Sequence, residues 1–252
     1  MLNHPSLDKL RRMKLEGMAQ AFEEQLEMSS SQELAFEARL GLLVDRELTH
    51  RDNRSFTRRL KNAHLKQPAS LEDVDYKHPR NLDPSLLQSL SSCQWIKDHR
   101  NLLISGPTGA GKSYLATALA RQACRLDSSV LYTQTTKLLQ ELLISKGDGR
   151  YPSKLNKLAK TQLLILDDWG LDSLSAQQQR ILLELLDDRY QKASTLIASQ
   201  FHPNLWHELL GNPTLADAIL DRLIHNAYRI HLKGQYIGQV LKRRSHQYSL
   251  DV

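Results

Sequence analysis

With only two cysteines in 252 residues, Cys93 and Cys124, the chain suggests no disulfide framework. Neither sits in a metal-ligand spacing, so a cysteine-held metal site is excluded as well. No stretch approaches the roughly 20 consecutive apolar residues that span a bilayer, which argues against a membrane-spanning helix. The opening Met1-Leu2-Asn3-His4-Pro5-Ser6 lacks the apolar core of a secretion signal. There is no internal repeat and no low-complexity tract. What remains is 40% hydrophobic and 25% charged, ordinary for a globular protein of one large or two modest domains. The expected setting is a reducing cytoplasm, with no membrane partner.

Charge is unevenly placed. The net charge is +6, yet three segments carry far more than that. Arg46 to Lys66 holds seven Lys/Arg against two acids. Lys146 to Lys160 holds five against Asp148 alone. Arg222 to His246 holds six with no acid. Segregation of this kind makes a field whose natural partner is a polyanion.

The densest chemical signal is Gly106-Pro107-Thr108-Gly109-Ala110-Gly111-Lys112-Ser113. It fits the phosphate-cradling pattern of Gly, four residues, then Gly-Lys-Ser/Thr. Glycines allow a tight turn whose backbone N–H groups converge on phosphate oxygens. The helix that follows, beginning Ser113-Tyr114, adds its positive end. Lys112 reaches the β- and γ-phosphates, and Ser113 offers a hydroxyl to Mg²⁺. Leu102-Leu103-Ile104-Ser105 is the strand entering the loop, as this motif requires. The expected nucleotide is ATP with Mg²⁺.

A second apolar run, Leu163-Leu164-Ile165-Leu166, ends in Asp167-Asp168. An acid at a strand tip beside a phosphate loop holds the metal, so Asp167 takes that role. Asp168 then polarises the attacking water. It is one methylene shorter than the glutamate common at this place, which bears on turnover.

Along the chain, residues 1–68 predict a helical domain. Leu7, Leu10, Leu15, Met18, Phe22 and Leu26 follow helical spacing. Ser30 to Glu33 reads as a capping box, opening a second helix with Leu34, Leu40, Val44 and Leu48 inward. A third helix over 51–65 has a thin apolar stripe, Phe56 and Leu60. Arg51, Arg54, Arg58, Arg59 and Lys61 cover the rest, a surface suited to DNA. Residues 69–84, with His78-Pro79 and Asp83-Pro84, read as a linker. From 85 to 252, strands near 101–105, 129–133, 163–167, 194–198 and 228–232 alternate with helical patterns. That alternation predicts a five-stranded parallel sheet between helical layers. Only twenty residues follow Leu232, too few for a full C-terminal lid domain.

The whole resembles the IstB-like ATPases, the transposition helpers of insertion sequences, relatives of the DnaC helicase loader in the AAA+ class. The residues carrying the likeness are Arg58-Arg59-Leu60-Lys61, Gly106–Ser113, Leu163–Asp168 with Trp169-Gly170, Ser194 to Gln200, and Ile219 to Leu223. The resemblance implies a sensor polar residue at Ser199-Gln200, with Ser199 as the catalytic candidate. It implies that Arg222 is offered to a neighbouring subunit's nucleotide. It implies that 134–162 is a helical insertion facing nucleic acid, with Lys146, Arg150, Lys154, Lys157 and Lys160 on it. The family's C-terminal arginine motif is absent from Gly234-Gln235-Tyr236-Ile237-Gly238; Arg243 and Arg244 match nothing.

The implied function is an ATP-dependent helper that oligomerises on double-stranded DNA and recruits and stimulates a transposase, with hydrolysis releasing it. A replicative helicase loader, a small-molecule phosphate-loop kinase and a non-hydrolysing ATP switch remain open alternatives.

Overall fold

The computed structural model describes residues 5–27 and 34–234. The Ser30–Glu33 capping box, Tyr236–Gly238, Arg243 and Arg244 lie outside them, as do residues 235–252, all but two of those on which the lid argument turned. Residues 1–58 and 59–252 form two compact units.

The first unit contains α1 (Pro5–Arg12), α2 (Glu16–Glu27) and most of α3 (Phe36–Asn62). One continuous helix thus replaces the two expected over this stretch. No glycine or proline interrupts residues 42–62, so nothing breaks the ladder. The apolar residues expected inward are largely exposed: Leu34 (45%), just before α3, and Leu40 (40%), Val44 (43%) and Leu48 (55%) on it. Contact between α2 and α3 is instead close and polar. Gly17 faces α3 so tightly that an added Cβ would lie 2.7 Å from the Arg46 carbonyl oxygen and 2.8 Å from Glu47 Cα. Glu47, buried, accepts from the Met18 N–H (3.1 Å) at the start of α2 and from Arg51 Nε (2.7 Å). Gln25 and Arg39 exchange two further hydrogen bonds.

The second unit is a five-stranded sheet: β1 (Asn101–Ser105), β2 (Val130–Gln134), β3 (Leu163–Trp169), β4 (Ser194–Ser199) and β5 (Ala227–His231). The order is β2-β3-β4-β1-β5, and all pairings are parallel. Strands covered on both faces need no polar alternation, and β1 and β4 are buried throughout. Alternate residues, Leu103, Leu164, Leu166 and Ile197, join one core with α7 (Thr135–Gly147), α8 (Tyr151–Lys160), α9 (Ala176–Arg189), α10 (Trp206–Leu210) and α11 (Pro213–Ile224). The helix after the glycine loop, α6 (Lys112–Arg125), packs on β1 to β4 with Leu115 and Leu119 fully buried. Two short helices, α4 (Pro84–Ser91) and α5 (Gln94–Lys97), precede β1.

The segment expected as a linker is not one. Ala69, Val74 and Arg80 are buried, and the Lys233 N–H donates to the Arg80 carbonyl at 2.9 Å. Proline-rich, polar composition hid a strap built into the second unit. The boundary between units falls inside α3, between Arg58 and Arg59.

Gly17→Ala is expected to destabilise the first unit by about 1–3 kcal/mol, since a methyl must displace backbone rather than a flexible side chain. Hydrogen exchange in α2 and α3 of the full chain measures it; unchanged protection refutes the close crossing.

Candidate functional site

Parallel strands deliver their C-terminal ends to one edge of the sheet, and there β1 and β3 present Gly106–Ser113 and Asp167-Asp168. Gly106, at φ +148°, leaves no room for a side chain: an added Cβ would stand 2.4 Å from the Leu232 carbonyl oxygen. Gly111, at φ 93°, is the N-cap of α6. The loop borders a cavity of about 660 Å³. Thr108, Gly109, Gly111, Lys112, Ser113 and Tyr114 line it, with Asp167, Asp168 and Gln200 across from them. Ala110, buried, lies within the loop.

Lys112 is 8% exposed, and its ammonium donates to the Pro107 carbonyl at 2.9 Å, inside the turn of the loop. Burial lowers its pKa from the ordinary lysine value, against the pull of Asp167 and Asp168. A buried cation beside convergent N–H groups is the arrangement that takes polyphosphate. Ser113 Oγ donates to Asp167 Oδ2 at 2.9 Å. A hydroxyl and a carboxylate oxygen so close form a hard oxygen pair suited to Mg²⁺, which takes few protein ligands and completes its shell with phosphate and water. Among the described residues no group of three or more His, Cys, Asp or Glu could hold a metal by itself. The donor set therefore fits a nucleotide-bound Mg²⁺.

Asp167 is 1% exposed, and its surroundings are dense. Oδ1 accepts the Asp168 N–H (2.9 Å), and Oδ2 accepts the Tyr132 hydroxyl. Lys66 Nζ lies 3.8 Å from Oδ2. Asp168 adopts a left-handed backbone (φ 58°), and its Oδ2 accepts from Gln134 Nε2 at 2.8 Å. Burial pushes the Tyr132 phenol's pKa up, with the Asp167 hydrogen bond and charge adding to it. Tyr132, Gln134 and Lys66 were not among the candidates from sequence. The signal for the first two was the period-2 spacing on β2, which turns Tyr132 and Gln134 to one side.

Of the two residues expected at the sensor position, Ser199 and Gln200, only Gln200 borders the cavity. Ser199 is fully buried; its hydroxyl donates to the Trp169 carbonyl (2.8 Å) and accepts the Phe201 N–H (3.1 Å). Its position within β4 turns it into the core. Gln200, just beyond the strand, lines the cavity and accepts from Thr108 Oγ1 at 2.9 Å.

Arg222 is not brought to this cavity. It lies on α11 against the start of β1, where Asn101 Nδ2 donates to the Arg222 carbonyl at 2.9 Å. Its guanidinium binds Asp187 (2.6 Å) and the Ala218 carbonyl (3.1 Å). The hydrogen bond from Arg222 to Asp187 raises its pKa further.

The strap closes the cavity's other side. Arg80 donates to the Asp75 carbonyl (3.1 Å) and lies near the Ala110 carbonyl (3.5 Å), while the Tyr114 hydroxyl donates to the Ser70 carbonyl (3.3 Å).

The basic residues divide by role. Arg54, Arg58 and Lys61 are exposed. Arg51 is exposed but paired with Glu47. Arg59 is committed: its side chain is 18% exposed, Nε donates to the Cys124 carbonyl (2.8 Å), and Nη2 pairs with Asp127 (2.6 Å). In the α7–α8 region, Lys146 stands over the Tyr151 ring (4.5 Å) and Arg150 pairs with Asp148. Lys157 and Lys160 are exposed and Lys154 half-buried. Among the described residues no helix is long and apolar enough to cross a membrane.

Residues 8–246 match the family described as IstB-like ATP binding protein. An insertion-sequence ATP-binding protein of Sinorhizobium fredii, y4pL, is 49% identical over 97% of this chain and 100% of its own length. The insertion sequence IS21 ATP-binding protein of Pseudomonas aeruginosa is 30% identical over 94% of this chain and 89% of its own. Among solved structures, the DnaC helicase loader superposes with a TM-score of 0.54 at 18% identity, over 69% of this chain and 99% of that one, which speaks to fold. The phosphate loop, the Ser113–Asp167 pair and this match over nearly the full length agree: the chain belongs to the IstB-like ATP-binding family, on an AAA+ fold.

Proposed function

We propose that this protein is an ATP-dependent, DNA-binding helper of transposition. The observation that carries the reading is the convergence of Lys112, Ser113 and Asp167 on the glycine-loop cavity, in a chain whose relatives are insertion-sequence ATP-binding proteins. The loop's N–H groups and Lys112 hold the triphosphate. Ser113 and Asp167 hold Mg²⁺, which supplies charge neutralisation on the phosphates when bound. Asp168 accepts a proton from the attacking water, and Gln200 contacts the water or the terminal phosphate.

Arg222 acts on a neighbouring copy. It belongs to the opposite end of the sheet from its own loop, about 17 Å away along a five-residue strand. An arginine offered from outside stabilises charge developing on the transferred phosphoryl group. ATP at the junction favours an oligomer that binds duplex DNA through exposed lysines and arginines. Hydrolysis releases it, and the assembled form recruits the transposase. A helicase-loading role shares the fold with DnaC, but the relatives at 49% and 46% identity are insertion-sequence proteins, which favours transposition.

Lys112→Ala is expected to cost about tenfold or more in ATP affinity, and Asp168→Asn to leave binding intact while turnover falls about 10²-fold or more. Equilibrium binding and phosphate release measure the two; parent-like turnover in Asp168→Asn removes that residue from the proton path.

Arg222→Ala is expected to bind ATP without turning it over. Mixed with Lys112→Ala, it regains part of the activity, since each variant supplies what the other lacks. No recovery at any mixing ratio overturns the role of Arg222 on a neighbouring copy.

Arg58→Glu with Lys61→Glu weakens duplex binding at all sequences alike and flattens the salt dependence by about one log unit per lost phosphate contact. Arg59→Glu differs: it breaks the ties to Cys124 and Asp127 and lowers the melting temperature. Filter binding at several salt concentrations, beside thermal unfolding, separates the two. Equal effects at both positions refute the division.

A further inference from the structure

Asp167 is a nearly inaccessible carboxylate whose Oδ2 collects three groups: the Ser113 hydroxyl, the Tyr132 hydroxyl and, more distantly, the Lys66 ammonium. Ser113 is accounted for by the phosphate-loop pattern. Lys66 is half-exposed and at 3.8 Å makes no short hydrogen bond. Tyr132 is different. It is 5% exposed, and its backbone is pinned on both sides. It lies in parallel register with Ile165 of β3, and its own N–H donates outward to the Ala63 carbonyl at 2.8 Å. A ring held this firmly fixes where its hydroxyl proton goes.

A neutral donor at this point has a particular use. A buried cation against Oδ2 would cancel the charge that attracts a metal. A phenol orients the carboxylate while leaving its formal charge in place. With Oδ1 held by the Asp168 N–H, both carboxylate oxygens are anchored, and the plane of the group cannot swing. Partners of metal-ligating carboxylates are worth about 10–100-fold in metal affinity.

We propose that Tyr132 is a positioning residue for the metal-side carboxylate: its hydroxyl sets the rotamer of Asp167 that pairs with Ser113. The proposal rests on reading the cavity as a Mg²⁺–nucleotide site. A side chain present only to fill space between β2 and α6 would do as well without its oxygen, so the phenylalanine variant separates the two roles.

The experiment is a Mn²⁺ titration of the full chain with a non-hydrolysable ATP analogue, followed by electron paramagnetic resonance, in the parent and in Tyr132→Phe. Binding of the same analogue in EDTA and a thermal melt accompany it. The expected result is a rise of about tenfold or more in the Mn²⁺ dissociation constant, with metal-free analogue binding within twofold of the parent. Unchanged Mn²⁺ affinity overturns the proposal. So does an equal loss with and without metal, which marks a packing residue. A parent that binds no Mn²⁺ with the analogue overturns the nucleotide-site reading itself, and this proposal with it. Should Tyr132→Phe fail to fold, the unsubstituted chain carries the test. With tyrosines labelled at ring carbon ζ, the Tyr132 resonance is expected to move when Mg²⁺ joins the bound analogue and to stay put in EDTA. A resonance indifferent to metal overturns the assignment.

Discussion

The second unit is organised around satisfying one carboxylate, Asp167, where water scarcely reaches it. Removing an ionised group from water costs several kcal/mol unless donors and opposite charge replace the lost hydration. Asp167 receives these from four places in the chain. The Ser113 hydroxyl comes from α6 and the Asp168 N–H from β3. The Tyr132 hydroxyl comes from β2 and the Lys66 ammonium from the segment after α3. Each requires its element to be in place. The edge strand must pair with β3 in this register, and the turn at Ala63 must meet Tyr132. The site and the fold's edge are thus held by the same contacts.

That dependence explains what happens just past α3. Sequence suggested a basic helix followed by a linker. In the structure Arg59 is fastened to the end of α6 through the Cys124 carbonyl and Asp127. Residues 69–80 then run along the cavity, with Arg80 buried near the Ala110 carbonyl. A guanidinium so enclosed is held for its geometry, since burial alone lowers its pKa. Adjacent basic residues therefore do opposite things. Arg58 offers its charge to solvent, and Arg59 spends its charge on the protein itself.

What was legible in the sequence follows the range of the forces involved. The phosphate loop was readable because its chemistry is local: glycines, a lysine and a serine at fixed spacing between a strand and a helix. Strands β1, β3 and β4 were readable because each is an apolar run covered on both faces; the edge strands β2 and β5, only partly buried, were readable from their place in the alternation with helices. Three features were not. The α3 stripe was assigned inward because Leu40, Val44 and Leu48 fall at helical spacing, but spacing shows that a face exists and not what covers it. The Tyr132–Asp167 and Gln134–Asp168 contacts join residues more than thirty positions apart, so only strand register could reveal them. Ser199 and Gln200 are adjacent, and whichever sits inside the strand is turned into the core. Here β4 includes Ser199 and ends there.

The role proposed for Arg222 turns on its placement. Parallel strands give a sheet two unlike ends, and every group assigned to phosphate or metal is at the end where strands finish. Arg222 is fixed at the end where they begin, through its carbonyl to Asn101 and its guanidinium to Asp187. An arginine side chain reaches about 7 Å, well short of the length of even a five-residue strand. No rotamer brings it to its own loop, so any contact it makes with a triphosphate is with another copy. The ion pair with Asp187 is then the resting partner that such a contact must displace. Both partners are partly solvated, at 32% and 49% exposure, so the exchange is inexpensive. In the proposed oligomer, an anion carrying several charges on the neighbour's glycine loop would outcompete one surface carboxylate. On the proposed reading, assembly and turnover are tied to the same arginine.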